Sequence, residues 1–78
     1  KDYQIAYQLM TEAYQKAKQF SQMHQSKAEV YALYGAYTRA VDELQYAYNF
    51  AGEDHLEKQR IRARIKQFRD QEERLERL

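Results

Sequence analysis

Residues 28–47, AEVYALYGAYTRAVDELQYA, decide how this chain folds. Ala28, Val30, Tyr31 and Tyr34 precede a lone glycine, Gly35. After it, Tyr37, Ala40, Val41, Leu44, Ala47 and Tyr48 recur at three- and four-residue spacing, an apolar face of period 3.6. A residue just past a helix C-terminus commonly needs positive φ, which glycine adopts without steric cost. The stretch therefore reads as two antiparallel helices joined by a very tight turn, with alanines where the backbones approach.

Working outward, the chain repeats itself every 17 residues. Tyr14, Tyr31 and Tyr48 share one register, Ala6, Met23 and Ala40 a second, and Lys18, Gly35 and Gly52 a third, where the turns should fall. The register predicts helices over 3–17, 20–34, 37–50 and 54–76. Helix one carries Ala6, Leu9, Met10, Ala13 and Ala17 as its apolar stripe. Its end, KAKQF, has no glycine or proline, so the rival reading is a continuous helix over 3–34. Helix two offers Met23, Val30, Tyr31 and Tyr34 as core residues. Asp54 followed by Glu57 has the pattern of a capping box opening the last helix. That helix is a narrow seam of Leu56, Ile61, Ile65, Phe68, Leu75 and Leu78 among charges. The pairs Asp70–Arg74 and Glu73–Arg77, each worth about 0.2–0.5 kcal/mol, support an end that projects beyond the body.

A chain of 78 residues, 44% apolar and free of proline, fits one small all-α domain with a thin core. Its first residue is Lys1 and not methionine, which suggests a fragment of a larger protein. The expected organisation is a single helical domain over 1–78, with 54–78 its longer charged helix. Cysteine is absent, which excludes disulfides and thiolate chemistry. No apolar run reaches the roughly 20 residues of a membrane span. Thirteen basic and twelve acidic side chains leave +1, too little to draw the chain toward nucleic acid or a membrane surface.

Catalysis finds few residues to work with. His24 and His55 lie 31 residues apart and outside any metal-ligand spacing, and each reads as a solvated or partly packed histidine. Ser26 and His24 are two apart and so face different sides of a helix. The two glycines are 17 apart, too far for a phosphate loop. Six basic residues in KQRIRARIKQFR, 58–69, form the one concentrated charge, with Arg60, Arg62 and Arg64 as its candidate contacts. Its flanks are acidic: over 53–78, eight basic minus seven acidic residues leave +1. A solvated helix face is therefore favoured over an acidic protein partner, and that over nucleic acid. Eight tyrosines are many for this length. Most read as packing residues, while Tyr34 and Tyr46 are candidates for partner contact.

Ala28, Tyr31, Gly35, Tyr37, Ala40, Leu44 and Ala47 stand at signature positions of the 34-residue tetratricopeptide (TPR) pattern, which this stretch resembles. Helices two and three then form the A and B helices of one repeat, and helix one the B helix of a preceding one. His24 and Lys27 depart from the large apolar residues of that pattern, and Lys18 from its closing proline. More narrowly, AEVYALYGAYTRAVDEL and RIRARIKQFR look like the C-terminal tail of bacterial periplasmic zinc metalloproteases of the beta-barrel assembly-enhancing type, the likeness covering most of residues 6–71. The resemblance implies an all-α, TPR-like antiparallel array of four helices, a periplasmic location and a non-catalytic protein-interaction role. Its zinc, with the His-Glu-x-x-His motif that binds it, would lie in a protease domain outside this sequence, so no cofactor is expected here. The implied partners are outer-membrane assembly machinery or the parent's own protease domain; nucleic acid is not among them, and homo-oligomers are compatible. Binding residues are expected on the concave lining and the basic helix: Gln22, Gln25, Glu29, Ala32, Leu33, Tyr34, Arg60, Arg62 and Arg64. The alternatives are a free-standing helical adaptor, a homodimer through the seam of the last helix, or a basic-helix nucleic-acid binder.

Overall fold

Three turns set the architecture, and all three fall in the register of Lys18, Gly35 and Gly52. In the computed structural model, which describes residues 2–77, these residues have φ of 58°, 76° and 60°. They separate α1 (Asp2–Lys16), α2 (Phe20–Leu33), α3 (Tyr37–Phe50) and α4 (His55–Glu76). The continuous helix over 3–34 does not form. At Lys18 a residue with a Cβ takes the left-handed conformation, at a cost of roughly 1–2 kcal/mol. Two hydrogen bonds close the turn: the amide of Gln19 donates to the Tyr14 carbonyl, and that of Lys18 to Gln15. The same pair recurs around Gly35, from Ala36 to Tyr31 and from Gly35 to Ala32, so both turns are Schellman motifs. Asp54 caps α4 by accepting the Glu57 amide at 3.0 Å. The expected reciprocal bond is missing, because the Glu57 carboxylate pairs with Arg60 and the Asp54 amide donates to Ala51.

Each helix packs on its neighbours in sequence: α1 on α2, α2 on α3, α3 on α4. The body measures 41 × 30 × 15 Å. The structure is an all-α antiparallel array in which α4 returns beside α2, where Arg64 pairs with Glu29. Among the described residues no helix is long and apolar enough to cross a membrane.

The core centres on α3, whose Ala40, Val41, Leu44 and Ala47 meet Ala28 of α2 and Ile61 and Phe68 of α4. Ala28, Ala40 and Ala47 are wholly inaccessible, so α2 and α3 cross in close contact. Tyr31, Tyr37, Tyr48 and Ile65 seal the edges. Tyr48 lies beneath Lys58 and Arg62, whose charges stand 5.2 and 5.1 Å from its ring centroid.

Several expectations are corrected. The α1 stripe of Ala6, Leu9, Met10, Ala13 and Ala17 is exposed, and α1 contributes no buried residue. It meets α2 instead through Gln4, Tyr7, Thr11 and Tyr14, which are half-buried. Tyr34 is exposed and not core, because α2 ends at Leu33 before reaching it. In α4, Ile61 and Phe68 are buried while Leu56 and Leu75 are exposed, so no continuous seam is left for a second helix; Leu78 lies outside the described residues. Asp70 pairs with Lys66, one turn earlier than expected, while Arg77 does pair with Glu73. Because the Thr38 hydroxyl holds Glu72 to the start of α3, only the last turn of α4 projects freely.

Candidate functional site

The antiparallel order brings α1, α2 and α4 to the rim of one groove, with α3 beneath it. Its volume is about 370 Å³, and its floor includes the buried Ser26 and Leu44. From α1 come Tyr7, Met10 and Tyr14, from α2 Gln22, Gln25 and Glu29, and from α4 Arg64. Residues 7, 10 and 14 share a helix face, as do 22, 25 and 29, which is why each helix offers its row to the same side.

Arg64 joins the two walls. Its Nε and Nη2 donate to the two carboxylate oxygens of Glu29 at 2.9 and 2.7 Å, while Nη1 donates to Gln67 Oε1 at 2.7 Å. The guanidinium also lies 4.3 Å from the Phe68 ring centroid. The hydrogen bonds that Arg64 donates to Glu29 raise its pKa above the ordinary value, partly offset by burial. A raised basic pKa adds stability that is complete below the unfolded value and is lost only as pH rises past the folded one. For arginine both lie far above neutrality, so this pair holds across the physiological range.

With its acid and base paired to each other, the groove is close to neutral. Gln22 and Gln25 present both donors and acceptors, Gln25 also donating to Ser21 Oγ at 3.2 Å. Tyr7, Tyr14 and Met10 add amphipathic and polarizable surface. Such a lining suits a peptide, whose backbone alternates donors and acceptors and whose side chains need apolar footholds.

Of the residues expected to bind, Gln22, Gln25, Glu29 and Arg64 converge here. Leu33 and Ala32 line the adjoining recess with Glu29, Tyr37, Arg64 and Gln67. Arg60 stands one turn from Arg64 and is held by Glu57 at 3.0 Å. Tyr34 is at the far end of α2, where Gln4 donates to its hydroxyl. Arg62 is on the other side of α4, donating to the Tyr48 hydroxyl and lining a separate recess with Gln45, Ile65 and Lys66. The basic run is therefore divided between two faces, with Arg60, Arg64 and Lys66 each held by a carboxylate.

Tyr7, Met10 and Tyr14 were not foreseen as groove residues. The signal was present in Tyr7 and Tyr14, two helical turns apart on one face, but was masked by the stronger stripe of Ala6, Leu9 and Ala13. Also unforeseen was the pairing of His24 Nδ1 with Glu43 Oε1 at 2.8 Å, with Lys27 at 4.0 Å. His24 stacks on Phe50 at 5.5 Å between centroids and touches Tyr46, so it is a packed residue between α2 and α3. Ser26 lies on the groove floor while His24 turns to Glu43, so the two do not form a nucleophile–base pair. Among the described residues no three His, Cys, Asp or Glu side chains converge on a common metal position. No family model, curated protein or solved structure matches this chain.

Proposed function

We propose that this chain is a TPR-like docking module, non-catalytic in itself, that holds a segment of another protein in the groove between α1, α2 and α4. The observation that carries the reading is the convergence of Tyr7, Met10, Tyr14, Gln22, Gln25, Glu29 and Arg64 on one near-neutral concave surface. Aromatic, methionine and amide side chains on a rigid helical frame offer contact area and adaptable hydrogen bonds, a combination used for recognising protein segments. On the resemblance of AEVYALYGAYTRAVDEL and RIRARIKQFR, the module serves a periplasmic zinc metalloprotease and brings it to outer-membrane assembly machinery or to its own protease domain. The zinc belongs to that other domain, and no residue of the groove is offered as its ligand.

Two experiments test this at different depths. The full gene should encode a His-Glu-x-x-His helix upstream; its absence removes the protease reading and leaves the docking module standing. A photoreactive residue at Gln25 in the natural protein, expressed in its own cells, should cross-link to a defined protein partner, whereas one at the exposed Tyr46 should not. Equal cross-linking from both positions would defeat the groove reading.

A further inference from the structure

We propose that α1 is a self-complementary surface through which two copies of this chain pair antiparallel. The face concerned is opposite the one α1 turns to α2, so the inference goes beyond the groove and does not depend on it. Along this face run Asp2, Ile5, Leu9, Ala13 and Lys16, all exposed, Ile5 at 56% and Leu9 at 60%. At about 100° per residue they lie some 180° from Gln4, Tyr7, Thr11 and Tyr14.

The fold itself shows what such a face is for. Shifted by the repeat of 34 residues, Ile5, Leu9, Ala13 and Lys16 become Arg39, Glu43, Ala47 and Phe50, the side of α3 that α2 covers in antiparallel orientation. There Arg39 lies over the Tyr31 ring, Glu43 meets His24 and Lys27, Ala47 is inaccessible, and Phe50 stacks on His24 and tilts against Phe20. Among the described residues no helix lies on the corresponding surface of α1. Another helix of the α2 kind would fit it poorly, because its counterparts of His24 and Lys27 would meet Leu9 where α3 provides a carboxylate.

A second α1 fits better. The row is symmetric about Leu9, with steps of 3, 4, 4 and 3 residues from Asp2 to Lys16. Antiparallel pairing centred there sets Leu9 against its own copy, Ile5 against the small Ala13, and Asp2 against Lys16, each twice. This is an isologous contact that closes at two copies. Two 15-residue helices make a small interface, so the dimer is weak and exchanging.

Sedimentation of the 78-residue chain from about 10 μM to 1 mM, the range expected for a small interface, tests it. The mass should rise toward twice the monomer and stop. Leu9→Glu should stay monomeric while keeping its helical circular dichroism, since Leu9 is exposed in the monomer. Asp2→Lys and Lys16→Glu should each weaken association about 2- to 10-fold, and the two together should restore it. Since the chain has no cysteine, Leu9→Cys should oxidise to a covalent dimer and Tyr46→Cys should not. The proposal is overturned by a monomer at every concentration, by growth beyond two copies, by dimerisation that survives Leu9→Glu, or by a double charge reversal weaker than either single one. It is equally overturned if, in a longer natural chain, the thiol of the Leu9→Cys variant is shielded from thiol reagents while the protein is monomeric, which would give the face to a preceding segment.

Discussion

Helices α1 and α3 carry one shared pattern of alanines and tyrosines in two different surroundings. Tyr3, Ala6, Ala13 and Tyr14 of the first match Tyr37, Ala40, Ala47 and Tyr48 of the second, and Met10 stands where Leu44 does. In α3 the alanines and Leu44 are at most 1% exposed; in α1 their counterparts all face solvent. The difference lies in the neighbours, because α3 is held between α2 and α4 whereas α1, among the described residues, packs chiefly on α2. An apolar stripe therefore states what a helix can bury, and the topology decides whether it does. It also sorts the molecule by role: α3 supplies stability, while the edges of α1, α2 and α4 remain available for contact.

The widest gap between the two helices should appear on placing a charge at matched alanines. Ala47→Glu buries a carboxylate where there is no space for it and should cost about 4–5 kcal/mol. At roughly 0.05–0.15 kcal/mol per residue the chain is stabilised by about 4–12 kcal/mol in all, so that variant should lose a third or more of its stability and melt far below the parent by circular dichroism. Ala13→Glu, measured in dilute solution, should shift stability by no more than about 0.5 kcal/mol. Truncation should give a smaller gap in urea melts: about 2–5 kcal/mol for Leu44→Ala and less than about 1 kcal/mol for Met10→Ala. Equal losses in either pair would mean that α1 is covered in solution.

The turns extend the comparison to the backbone. Gly35 and Lys18 hold equivalent left-handed positions, and a Cβ at Gly35 would meet nothing within 4 Å, so only its φ of 76° opposes a side chain. Gly35→Ala should therefore cost about 1 kcal/mol, and Lys18→Gly should gain up to about the same, as opposite shifts in melting temperature. The smallest effect belongs to Arg62→Glu, which loses its contacts with the Tyr48 ring and hydroxyl on the outer face of α4. About 0.5 kcal/mol with unchanged helicity is expected.

Much of this fold was legible from the residues alone. The 17-residue register located every turn, including that at Lys18, where no glycine marks it, and placed the helix ends within about two residues. The buried face of α3 followed from its spacing, as did the cap at Asp54. What could not be read was which faces meet. The α1 stripe has a helix period whether or not a neighbour covers it, and Tyr34 has the composition of a core residue but lies past the last turn of α2. At the site, Gln22, Gln25 and Glu29 could be assigned to one face of α2 by spacing. The ion pair of Glu29 with Arg64 spans 35 residues, and that of His24 with Glu43 spans 19. Each becomes visible only once the antiparallel register is known, and Tyr7 and Tyr14 join the groove only because α1 presents its weaker stripe to α2.

Amide hydrogen exchange on the isolated chain, at low micromolar concentration, tests the contrast between α1 and α3 most directly. Residues 10–13 (MTEA) and 44–47 (LQYA) stand at corresponding register positions with the same intrahelical hydrogen bonding, so with intrinsic exchange rates allowed for they differ chiefly in what surrounds them. Amides 44–47 should exchange only through global unfolding, and amides 10–13 at least about 100-fold faster through local opening of the edge helix. Equal protection of the two segments would contradict the claim that α1 leaves an apolar face open.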